Sequence, residues 1–451
     1  MNLDWRETNA RIRIGFMHYA LGKLLSAPLS LITLVLLARL LPSGDYAAWL
    51  TCMAVVEMTI VVGGLGLEWL MQTTSVAVQA EGNPRQLQRV RLLFIVLPVG
   101  VQAMAGLTVA TAAPLMSGWL GAVASPEQLR LAGWIIALEG PVRLLRDSFM
   151  PILMMQAQAQ WCTIIRVLGL LIPVLVLSQV DSARAIAADQ VLSIEVLASG
   201  FTLLSVLGLL ALRLWQDRPR QPMPGSVRAW LGWPAWRFAF HAWLSILMML
   251  LLGTDLLITQ VARHLGPEAT AAFGFAVRWL EVIRRYLPVD LFWGAVRPAV
   301  IARHQAAGRD PQVLVRDAWR MVAANLAAVL VVLALTLMVG DTVLAGLSAS
   351  RVPVLPALLA CLVLLLIGHT LRRVLELMAY LAGASGAFAM ASLLCLAGPP
   401  AVTLALRWWP APHAAVLAAV AVDLLVVVAA GWLLHRAHLP LIPARRMSWI
   451  S

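Results

Sequence analysis

Charge is scarce in this chain: only 12% of its 451 residues are Asp, Glu, Lys or Arg, about half the share of a soluble domain. Lysine is almost missing, with Lys23 standing alone, so nearly every positive charge is a guanidinium. The four cysteines, Cys52, Cys162, Cys361 and Cys395, lie far apart. They fit neither a disulfide framework nor a thiolate metal site and read as small packing residues. No Walker-type phosphate loop occurs, which excludes ATP as the energy source. No paired-carboxylate, nucleophile or metal motif stands in any loop. The chain therefore reads as a non-enzyme with no cofactor and no metal.

Apolar sequence is what the chain has in abundance. It is 61% hydrophobic, with a mean hydropathy of +0.84. A helix needs about 20 mostly apolar residues to cross a bilayer core. That ruler gives twelve spans, near 16–41, 46–71, 92–115, 129–154, 161–177, 189–212, 235–262, 269–297, 315–339, 352–380, 383–406 and 414–435. The runs are continuous and do not alternate, which fits helices and not barrel strands. The first run is too long for a cleaved signal segment and reads as a retained span.

The basic residues are unevenly placed. Most fall on the flanks that hold Arg11, Arg89, Arg220, Arg303 and Arg445, and few on those that hold Arg39, Arg130, Arg263 and Arg351. The richer side is expected to be cytoplasmic, with both termini on it. The net charge of +12 is this bias, suited to anionic headgroups, and no nucleic-acid partner is implied.

A quiet repeat divides the chain. "ARLLPSGDYAAW" begins at Ala38 and "ARHLGPEATAAF" at Ala262, an offset of 224 residues that also sets Glu57 on Glu281. Each copy is a span end, a turn and the start of the next span. Six spans per half is an even number, so the halves are parallel repeats about an axis along the membrane normal. The expected domains are a six-helix lobe at 1–215, a cytoplasmic linker at 216–234 and a second six-helix lobe at 235–451. Pro219, Pro222 and Pro224 keep the linker from being one continuous helix.

"KLLSAPLSLITLVLLARLLPSGDYAAW" (residues 23–49), "GGLGLEWLM" (63–71) and "MMQAQAQWCTIIRVLGLL" (154–171) resemble the polysaccharide and O-antigen flippases of the multidrug/oligosaccharidyl-lipid/polysaccharide exporter superfamily. One departure stands at the first turn, where Ala47 follows Tyr46 in place of the family's frequent glycine. The resemblance implies an all-α membrane protein with about twelve helices in two bundles around a central cavity. It implies outward flipping of a polyprenyl-pyrophosphate-linked oligosaccharide across a bacterial inner membrane, by alternating access. It also implies a monomer working beside membrane lipid and the polysaccharide polymerase machinery. The alternative within the superfamily is a cation-coupled multidrug efflux pump.

Charges inside the spans carry the site expectation. Arg278, Glu281 and Arg285 are spaced to share one helix face, with Arg284 beside them. Glu139, Arg143 and Arg146 repeat the theme in the fourth span; His369, Arg372 or Arg373, and Glu376 repeat it in the tenth. Lys23 and Arg166 add to the first half. A charge at the bilayer centre costs at least about 2.5–3.5 kcal/mol and must face a partner or water. Two of these pairs, Glu139 with Arg143 and Glu281 with Arg285, could neutralise each other at i, i+4. The arginine surplus predicts a cationic cavity that binds an anion through Lys23, Arg143, Arg146, Arg278, Arg284 and Arg285. A guanidinium suits that task because it grips phosphate oxygens as a fork. Glu57, Asp255 and Glu281 are the expected ion-coupling carboxyls. Asp423, alone in the last span, is left without a role.

Overall fold

The structure is a computed structural model. It describes residues 24–71, 84–180, 186–216, 233–288, 310–348 and 356–437, apart from 27, 69, 151, 152 and 154, with 22 and 300 besides. Most of the expected linker, 217–232, lies outside the described residues.

In chain order the helices are α1 (Leu24–Leu40), α2 (Ser43–Gly63), α3 (Pro84–Trp119), α4 (Pro126–Leu144), α5 (Gln156–Val180), α6 (Ala188–Gln216), α7 (Trp233–Leu250), α8 (Thr254–Tyr286), α9 (Pro311–Ser348), α10 (Pro356–Leu381), α11 (Ser385–Ser392), α12 (Gly398–Trp408) and α13 (Pro412–Arg436). Among the described residues nine helical stretches are long and apolar enough to cross a membrane. One of them, Ala239–Arg284, is long enough for two spans. The short α1 and the charged α4 complete twelve. The protein is an all-α, multi-pass membrane protein of two six-helix bundles around a central cavity.

The helix ends follow from local sequence. Ser125 caps α4: its hydroxyl accepts from the Gln128 N–H, the Gln128 side chain accepts from the Ser125 N–H, and Pro126 starts the helix. Gly266, at φ 79°, turns the chain inside α8, and Pro267 starts the next span. The repeat sets this turn on Pro42–Ser43, where α2 begins.

Packing repeats between the halves. In the first, α3 lies on α4, α4 on α6 and α5 on α6; in the second, α9 lies on α10, α10 on α13 and α12 on α13. Within the first bundle the backbones approach closely: a Cβ on Gly133 would sit 2.9 Å from the Ala110 Cβ. Small residues permit this where lipid gives helices little drive to associate. Across the halves α2 packs on α8, and the Trp243 indole donates to the Val62 carbonyl at 3.0 Å. Arg263 of α8 lies over the Trp119 ring at the end of α3, 5.1 Å from its centroid.

Three breaks depart from the expected spans. The seventh is interrupted: α7 stops at Leu250 and α8 restarts at Thr254, with Gly253 as N-cap. The eleventh is interrupted by a 3-10 turn, Leu393–Ala397. The two breaks touch, because a Cβ on Gly398 would meet the Leu251 carbonyl at 2.9 Å. The eighth span is interrupted: α8 ends at Tyr286, and Leu287 is extended at ψ 141°. Pro288 is the cause, since the residue before proline is driven out of the helical region.

Candidate functional site

Because α8 ends at Tyr286, the charged stretch from Arg278 onward occupies its last turns. The end of α4 lines the same space with it: there a π-helical turn, Leu145–Phe149, carries Arg146 and Asp147. Such turns often mark functional positions in helices. Between these ends lies a cavity of about 670 Å³. It lies toward the ends of the even-numbered spans, the side that charge bias marks as cytoplasmic.

The expected site residues fall into three groups. Arg143, Arg146, Arg284, Glu57, Asp255 and Glu281 all line the cavity. Arg278 does not; it borders a smaller annex of about 140 Å³ behind it, lined also by Ser30, Thr33, Trp49, Arg166, Glu195 and Glu281. Lys23 and the side chain of Arg285 lie outside the described residues.

Partnering separates these charges further. Arg143 forks onto Glu57, with NH2 at 2.6 Å from Oε1, and its Nε donates to Glu139 at 3.2 Å. Arg278 bridges Glu281 at 2.8 Å and Asp255 at 3.1 Å. The i, i+4 pair Glu139–Arg143 is thus present; Glu281 has Arg278, one turn earlier, as a partner, and the expected Glu281–Arg285 pair falls on a side chain outside the described residues. Arg146 grips Asp147, its own neighbour, at 2.7 and 2.9 Å. That Asp147 side chain is 59% exposed. Arg284 lines the cavity without a salt bridge among the described residues.

Other site residues were missed. Arg166 sits 2.8 Å from Glu139 and 3.4 Å from Glu195. Asp423 has a partner after all: Arg372 of α10 lies 2.8 Å from it, both buried in the second bundle. The signal for these pairs was a lone carboxyl in an apolar span, which requires a cation from another helix.

The described lining is close to electrically balanced, not strongly cationic. Arg143, Arg146, Arg166, Arg284 and Arg372 face Glu57, Glu139, Asp147, Asp255, Glu281 and Asp423. Most of the guanidiniums serve carboxylates. Of those on the two opposing helix ends, Arg146 has an exposed partner and Arg284 has no salt bridge among the described residues. A break in a helix also points here: Gly253, Thr254 and Asp255, the start of α8, line the same cavity. Among the described residues no cluster of His, Cys, Asp and Glu could hold a metal.

No protein-family model matches the chain, and no curated protein matches it. Solved structures do. The chain is similar to an inward-facing multidrug resistance MATE family transporter of the MOP superfamily, with TM-score 0.66 and 15% identity over 93% of this chain and 98% of that one. It is similar to the lipid II flippase MurJ in an inward closed conformation, with TM-score 0.62 and 13% identity over 93% and 87%. It is also similar to the Vibrio cholerae MATE transporter VcmN, with TM-score 0.62 and 16% identity over 95% and 96%. The chain therefore has the fold that these structures share.

Proposed function

We propose that this chain is a secondary transporter that flips a lipid-linked oligosaccharide, held by its pyrophosphate, from the cytoplasmic to the outer leaflet of a bacterial inner membrane. The lobes at 1–215 and 235–451 rock about the cavity, and the stretch 216–234 joins them on the cytoplasmic side with both termini. The carrying observation is Arg284: a guanidinium on the wall of a membrane-embedded cavity with no salt bridge among the described residues. A charge so placed is stabilised by an anion that arrives from outside the chain. Arg146 stands opposite on the other bundle and can release its exposed Asp147 to share the same anion. The two arginines come from different lobes, so an anion between them can report its presence to both. Ion coupling is assigned to the paired carboxyls Glu57, Asp255 and Glu281, whose guanidinium partners can be shared or exchanged as the lobes move.

A second reading, export of small cations, draws on the six carboxyls among the lining residues. The two readings separate in proteoliposomes that hold the full chain. A fluorescent polyprenyl-pyrophosphate sugar is followed by quenching of the outer leaflet, and a lipophilic cationic dye is followed by its release. The anionic-lipid reading expects transbilayer movement of the pyrophosphate lipid and none of the dye. Dye transport with no lipid movement selects the efflux reading.

A further inference from the structure

Five side chains of the first lobe form one unbroken chain of contacts: Glu57, Arg143, Glu139, Arg166 and Glu195. They tie α2, α4, α5 and α6 together. The carboxyls of Glu139 and Glu195 are only 1% and 4% exposed. Three carboxyls face two guanidiniums. Fully ionised, the cluster would bury one uncompensated negative charge in a membrane, which is strongly unfavourable. Arginine cannot restore the balance, because it does not deprotonate in proteins. The balance must come from the carboxyls.

Among the described residues the surrounding elements do not supply the missing cation. Across the annex, α8 presents Arg278 and Glu281, which pair with each other at 2.8 Å. Arg278 also serves Asp255, so it has no charge to spare for the first lobe. On α6 itself, Asp189 and Arg213 lie at opposite ends of the helix. Arg146 is engaged by Asp147.

We propose that Glu195 holds one exchangeable proton, and that this proton makes the first-lobe cluster neutral. Geometry selects Glu195 among the three. Both oxygens of Glu57 are taken by Arg143. Glu139 faces a guanidinium on each oxygen. Among the described residues Glu195 has one ion-pair contact, to Arg166, and it is the longest, at 3.4 Å. That arrangement leaves an oxygen able to carry O–H. Glu195 also borders the annex, where the Trp49 indole N–H is buried without an acceptor. A chamber of about 140 Å³ with such donors has room for water, and water gives the proton a route. Arg166 lines both the annex and the main cavity, so the proton site and the cargo site share a side chain.

The proton site stands whichever cargo is carried. Its linkage to an anion rests on the flippase reading. An anion that draws on Arg143 or Arg166 leaves the carboxyls less compensated and favours the proton. By reciprocity the proton favours the anion. Anion affinity is then highest at low pH and falls as pH rises through the loss of the Glu195 proton.

Infrared difference spectroscopy of the full chain in lipid nanodiscs, without cargo, tests the proton directly. Wild type is expected to show a protonated-carboxyl C=O component from Glu195 that disappears as pH is raised. Glu195→Gln should remove that component, Glu195→Asp should restore a titrating component at a shifted position, and Asp147→Asn, outside the cluster, should leave it in place. Glu195→Gln removes the surplus carboxyl, so the cluster remains neutral and its thermal unfolding should match wild type. A titrating spectrum unchanged in Glu195→Gln, or a wild type with no titrating band, overturns the proposal. Neither result bears on which lipid or dye is moved.

Discussion

Single side chains in this protein gain their meaning from partners on other helices. Arg372 and Asp423 lie 2.8 Å apart with side chains 8% and 3% exposed. Removing one member leaves a buried charge unpaired, which costs about 3–5 kcal/mol, whereas replacing both by apolar groups is often neutral or stabilising. Asp423→Asn should therefore lower the thermal unfolding temperature in detergent, and the Arg372→Leu, Asp423→Leu double variant should recover most of the loss. If both variants unfold alike, the pair is not what holds α10 to α13. The same logic sorts the cavity arginines. Arg143 and Arg278 each bridge two carboxyls, so their loss should damage folding as well as transport. Arg284 has no such structural duty among the described residues, which makes it the cleanest probe of cargo.

At the scale of elements, the breaks matter more than the lengths. The interruption at Leu251–Gly253 rests on Gly398, which starts α12. A methyl at Gly398 would come within 2.9 Å of the Leu251 carbonyl and would crowd the Leu252 side chain. Overpacking of this kind costs roughly 1–3 kcal/mol. Gly398→Ala should lower the unfolding temperature and slow transport, measured on the same preparation. Unchanged stability would mean that the two breaks do not support each other. The spans themselves were legible, because long apolar runs can only be helices in a bilayer. The break in the seventh was not: the residues around Gly253 are apolar on both sides, and one glycine does not announce a turn. The early end of α8 was available in Pro288, but the apolar residues that follow carried the expected span on to 297.

For the whole molecule, the parallel repeat was readable because two turns and two glutamates keep their spacing, and the pairing of helices within each half follows it. The site was readable only in part. Counting charges along the chain brought out the arginines, but not the carboxyls that cross from other helices to meet them. Asp423 lies 51 residues from Arg372 by number, and Glu195 lies 29 from Arg166; no local spacing rule links them. The expected cationic surplus does not appear in the described lining, where five guanidiniums face six carboxyls. What remains is a gap between two lobes, lined by Arg146 on one and Arg284 on the other. On the opposite side Arg263 and Trp119 connect the halves.

The central claim is that Arg284 holds an anionic headgroup. Its most direct test is the affinity of the purified full chain in nanodiscs for a polyprenyl-pyrophosphate sugar, compared with the matching lipid monophosphate and with Arg284→Gln. A hydrogen bond to a charged group contributes about 1.5–3 kcal/mol, so Arg284→Gln should weaken pyrophosphate-lipid binding roughly tenfold to a hundredfold. Its unfolding temperature should stay at the wild-type value, because no described carboxylate is left unpaired. Arg284→Lys should restore only part of the affinity, since lysine keeps the charge and loses the planar fork. Equal affinity in wild type and Arg284→Gln would contradict the account, because the one cavity guanidinium without a described salt bridge would then not be the one that takes the anion.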